Sequence, residues 1–129
     1  MPTTDPVQLV RDAAESVRVF NHRTFPGGDR PGLVSAPEAY RVLGALTALA
    51  ERLPQSFEQI GYALNAHHGL GHISADYGTA AEHIATAGAS LREAEDYARG
   101  LTAALNRAWS ATNPLGHTGP LTDTDDESE

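Results

Sequence analysis

Apolar residues recur at alternating steps of three and four along residues 77–108, and we call this stripe the alanine seam. Its members are Tyr77, Ala80, Ile84, Ala87, Leu91, Ala94, Ala98, Leu101, Leu105 and Ala108. Such spacing places one apolar stripe along one face of an α-helix. The run exceeds four heptads, a length typical of a helix that packs lengthwise against another helix. We therefore predict a helix over about residues 76–111, a rod roughly 50 Å long at ~1.5 Å per residue.

A shorter helix is predicted near the start of the chain, over about residues 6–22. Asp5 is a favourable N-cap, and Pro6 suits the first helical position because its missing N–H would have no partner there. The stripe that follows has the same spacing of three and four and consists of Val10, Ala13, Val17 and Phe20.

A third stripe occupies the middle of the chain and is interrupted by Pro54. Ser35 and Glu38 form the pattern of a capping box ahead of it. The stripe consists of Ala39, Val42, Leu46, Leu49 and Leu53, and it resumes at Phe57, Ile60 and Leu64. Proline removes a backbone donor and clashes with the preceding turn, so we predict helical segments over about 36–53 and 55–67. The pattern leaves open whether the helix bends at Pro54 or restarts there.

Glycine and proline separate these helices. A loop rich in both spans residues 24–34, and a turn with two glycines spans residues 67–72. Because the connection between the middle and last helices is short, about eight residues, we expect them to form an antiparallel hairpin. The predicted fold is all-α: a three- or four-helix bundle over residues 1–113, built on this long hairpin. A disordered acidic tail is predicted over residues 114–129.

The composition narrows the classes of chemistry open to the chain. Its 129 residues include no cysteine, and its nine basic residues are all arginine. These absences exclude disulfides, cysteine nucleophiles, Schiff-base lysines and a phosphate-binding loop of the Walker type. No Glu-x-x-His pair is present for a di-iron centre, and no Gly-x-Ser-x-Gly elbow is present for a hydrolase. We predict a protein that is not an enzyme and needs no cofactor.

The net charge of −8 is concentrated at the C-terminus, where five of the last seven residues are acidic. The remainder offers no basic stripe of the kind that contacts phosphate backbones, which argues against direct nucleic-acid binding. No apolar run reaches the ~20 residues of a membrane-spanning helix, and no secretory signal pattern opens the chain. We expect a soluble cytoplasmic protein without membrane contact.

The turn between the last two helices contains three histidines that are candidate metal ligands: His67, His68 and His72. Neutral imidazole is the commonest zinc ligand, and Asp76 and His83 could add further donors if the turn folds over the last helix. However, no pair of these residues has the spacing of a known zinc motif. Solvated turn histidines are the ordinary alternative.

Two resemblances add to this interpretation. The stretch from Val10 to Phe25, together with residues 39–44 and Leu53-Pro54-Gln55, resembles small uncharacterised helical proteins of actinomycete genomes. Some of these are apparently associated with plasmids or integrative elements, and the resemblance implies no assigned activity. The size of the hairpin is also similar to that of secreted helical hairpins of the WXG100 type. Those carry Trp-x-Gly in the turn, where this chain has residues 68–71, and its only tryptophan is Trp109.

The sequence thus predicts a helical interaction or adaptor protein that acts through self-association and protein–protein contacts. The alanine seam is the predicted interface of a homodimer, with a further protein partner unidentified. A role accessory to a mobile genetic element would follow from the resemblance. The alternatives are a metal or small-ligand sensor that uses the histidine turn, and a secreted helical hairpin.

Overall fold

The computed structural model describes residues 5–27 and 32–120. Over these residues the chain forms three α-helices and no β-strand: α1 (Pro6–Arg23), α2 (Ala36–Gly69) and α3 (Ala80–Thr112). The predicted all-α class is confirmed. Residues 121–129, which carry most of the predicted acidic tail, lie outside the described residues.

Two compact units make up the chain: one contains α1 and the start of α2, and the other comprises Tyr40–Pro114. The union of these units in one bundle domain stays a prediction.

α1 begins as the sequence predicts. The Asp5 side chain accepts a hydrogen bond from the Val7 N–H at 3.1 Å, and Pro6 occupies the first turn. The helix ends at Arg23, and the N–H of the C-cap residue Thr24 donates to the Phe20 carbonyl at 2.9 Å. α1 contains no buried residue, and Val10 in the middle of its apolar stripe is 71% exposed. Within the described part of the chain, this stripe is therefore open to solvent.

α2 is one helix of 34 residues that continues through Pro54. This corrects the two segments predicted over 36–53 and 55–67. An internal proline costs about 3 kcal/mol because it removes one backbone hydrogen bond and crowds the preceding turn. Packing outweighs that cost here, since Thr47 and Ala50, in the two turns before Pro54, are almost fully buried. The proline alone predicts a bend or a restart at this point, and the helix instead continues through it.

Side chains cap the starts of α2 and α3. The Glu38 N–H donates to Ser35 Oγ at 3.2 Å, and Glu38 Oε1 accepts from the Val34 N–H at 2.7 Å, one residue before the position that a capping box would use. At α3, Thr79 and Glu82 form a complete capping box: the Glu82 N–H donates to Thr79 Oγ1 at 3.1 Å, and the Thr79 N–H donates to Glu82 Oε1 at 3.2 Å. These bonds satisfy backbone donors at the starts of the helices.

α3 begins at Ala80, four residues later than the predicted start at 76. Gly78 has a φ of +66°, which is left-handed backbone that cannot belong to a right-handed helix. Thr79 is therefore the N-cap, and Asp76 lies in the loop before the helix.

α2 and α3 are antiparallel, as the order of their contacts shows. Trp109 near the end of α3 lies over Gly44 near the start of α2; a Cβ added at Gly44 would be 2.9 Å from the indole Cζ2. Farther along, Leu91 lies over Gly61, with the corresponding distance 3.7 Å. Between these contacts the core consists of three small residues: Thr47, Ala50 and Ala98. Small residues at a helix contact let the two backbones approach closely.

Candidate interaction surface

The alanine seam is only partly directed at α2. Ala98 is buried, and six other members are half-buried: Ala80, Ile84, Ala87, Leu91, Ala94 and Leu105. Tyr77, Leu101 and Ala108 are exposed, with Leu101 at 48%.

Beyond Ala98 the residue that lies over α2 is Trp109, one residue after a predicted seam position. Thr102, also one residue after a seam position, lines a groove together with residues of α2. A straight helix drifts ~20° per heptad from a strict seven-residue repeat, which accounts for this shift. As a result, Leu101 and Ala108 lie beside the α2–α3 contact rather than inside it.

One side of the α2–α3 pair is polar. Gln55 and Glu58 of α2 line an open groove with Arg99 and Thr102 of α3, beside Pro54. Arg99 is paired with Glu95, one helical turn before it, at 3.5 Å.

A second groove on the α2–α3 pair is lined by Tyr62 and Asn65 together with Gly88 and Arg92. Both grooves are open and bordered by charged side chains, unlike the enclosed, mainly apolar pockets typical of small-molecule sites.

The other side of the pair is apolar. Successive positions on a helix are ~100° apart around its axis. On α2, Leu49, Leu53 and Ile60 therefore lie to one side of the face that contacts α3, and Gln55 and Glu58 lie to its other side. On α3, Leu101 and Leu105 lie opposite to Arg99 and Thr102 in the same way. Since the polar positions of both helices line one groove, these apolar positions share the opposite side of the pair.

We name this surface the apolar side and define it by six residues: Leu49, Leu53, Ile60, Ala94, Leu101 and Leu105. Leu49, Ile60 and Leu101 are 41%, 50% and 48% exposed, and the other three are half-buried. From Val42 to Leu64 on α2, and from Ala94 to Ala108 on α3, the helix positions on this side carry no charged residue. Sequence reasoning identified both apolar stripes but missed that they join into one surface.

An aromatic cluster closes one end of the α2–α3 pair. The Trp109 and Tyr40 rings are 5.9 Å apart between centroids and inclined by 40°. The indole Nε1 of Trp109 is buried and finds no hydrogen-bond acceptor among the described residues. Leaving a buried donor without a partner costs about 1–3 kcal/mol. The cluster therefore holds the helices together through ring packing rather than through hydrogen bonding.

The histidine turn forms a Schellman motif at the end of α2. The His72 N–H donates to the His67 carbonyl and the Gly71 N–H to the His68 carbonyl, both at 3.0 Å. Gly71 carries the left-handed φ of +76° that this motif requires. The backbones of the three histidines thus end a helix.

The histidine side chains give the metal alternative little support. The rings of His67 and His72 are 6.1 Å apart between centroids. Across residues 5–27 and 32–120, no group of three or more His, Asp or Glu side chains is close enough to hold a metal ion. His83, a further candidate ligand, donates through Nε2 to the Tyr77 carbonyl at 2.8 Å and packs edge-on against the Tyr77 ring.

Comparison with known proteins does not identify a family. Searches against protein-family models, curated protein sequences and solved structures give no significant match. Of the helices in the described residues, none is long and apolar enough to cross a membrane.

Proposed function

We propose that this chain is a non-enzymatic interaction protein that works by self-association and by contacts with other proteins. The observation that carries the proposal is the distribution of apolar side chains on the α2–α3 pair. Only three small residues are fully buried there, while leucine and isoleucine side chains are left about half exposed. Natural helices obtain most of their stability by packing such a face against a neighbour.

The free energy available from burying apolar side chains supports the same proposal. Fully burying a leucine or isoleucine stabilises by about 1.5–3 kcal/mol, and alanine contributes much less because its apolar area is small. The α2–α3 pair therefore leaves much of its available hydrophobic free energy unused as a single copy. Association covers that surface without any new chemistry in the chain. The resemblance noted above makes an accessory role in a plasmid or integrative element the cellular setting that we propose.

Light scattering on a sizing column tests the proposal directly. The full chain and a version that ends at Thr118 are measured over a series of concentrations. We expect each to have a mass near twice that of its own single chain, which is 13.7 kDa for the full length. The truncated version serves as a control for the acidic tail, which should repel rather than promote association. A single-chain mass for both proteins at every concentration would contradict self-association.

A further inference from the structure

We draw no further inference here: the strongest candidate, the apolar side of the α2–α3 pair, leaves Leu49, Ile60 and Leu101 about half exposed, but nothing in the structure shows what covers it.

Discussion

The contact between α2 and α3 and the apolar side next to it differ in how closely their residues are packed. Inside the contact, Ala50 and Ala98 are buried and the Trp109 indole lies over Gly44, whereas the leucine and isoleucine side chains of the adjacent side are half-buried or about half exposed. Small residues bring two helices close, and they make the contact intolerant of added atoms because interiors are packed to crystal-like density. The large residues outside are half exposed and so tolerate change in a single copy. The same pair of helices thus has one surface that is closed by folding and another that a single copy leaves exposed.

The largest expected effect comes from placing a charge inside the contact. Ala98→Asp should destabilise the fold by on the order of 3–5 kcal/mol, because an unpaired carboxylate would be held in a site that is 5% exposed. Total stabilities are only about 5–15 kcal/mol, so thermal unfolding followed by circular dichroism should show a large loss or an unfolded chain.

Leu101→Asp is the matched control, one turn away on the same helix. Its site is half exposed, so the single copy should keep its helix content while the dimer dissociates. If Leu101→Asp unfolds as readily as Ala98→Asp, the distinction between the two surfaces is wrong.

A smaller effect is expected from adding one carbon inside the contact. The Cβ of Gly44→Ala would lie 2.9 Å from Trp109 Cζ2, closer than carbon atoms can pack, so the indole or a helix must shift. Gly100→Ala is the same change on α3 with no atom within 4 Å of the new Cβ. It should raise stability by about 0.5–1 kcal/mol through helix propensity. We expect Gly44→Ala to be less stable than Gly100→Ala by about 1–3 kcal/mol in urea unfolding. Equal stabilities would mean that the glycine–indole contact is loose.

The turn between α2 and α3 lies outside both surfaces, so substitutions there test whether effects on stability and on association are separate. Gly71→Ala forces a side chain into backbone with a φ of +76° and should cost about 1–2 kcal/mol. Gly69→Ala, in the last turn of α2 with open space around it, should cost nothing measurable. Both variants should keep the mass of wild type in solution, because neither site lies on the apolar side. A change in mass for Gly71→Ala would implicate the turn in association.

The smallest effect is expected on α1. Arg18 lies 2.7 Å from Glu15, and its hydrogen bonds hold the pKa of that carboxyl below its usual range. A lowered pKa stabilises the folded state above the unfolded pKa, and this contribution is lost as the pH falls through the folded value. The pair is fully exposed, so Glu15→Gln should leave the melting temperature at pH 7 unchanged. A clear drop at pH 7 that is absent at pH 3 would show that the pair matters more than its exposure suggests.

Much of the local structure was predictable, because its causes are local. Asp5, Ser35 and Thr79 begin helices through side-chain bonds that span two or three residues, and such patterns can be read from sequence. Gly71 ends α2 for an equally local reason.

The predictions that were wrong concern features that depend on contacts between residues far apart in the sequence. Pro54 by its own chemistry predicts a bend or a restart, and the burial of Thr47 and Ala50 in the preceding turns, which favours a continuous helix, depends on residues elsewhere in the chain. The heptad register placed Leu101 on the packed face of α3. In the structure Trp109 packs over Gly44 of α2, and Leu101 lies beside the contact. Whether two stripes on different helices join into one surface depends on how the helices pair, which neither stripe encodes alone.

The position of Trp109 gives the protein an optical probe of its own folding. It is the only tryptophan, and its indole lies in the α2–α3 contact, over Gly44 and near Tyr40. Separation of the two helices would expose the ring to water and shift its emission to longer wavelength. Dissociation of a dimer through the apolar side would leave this ring in place. Emission wavelength and scattered light therefore report separate events, and a dilution series followed by both would distinguish a dimer that comes apart from a chain that unfolds.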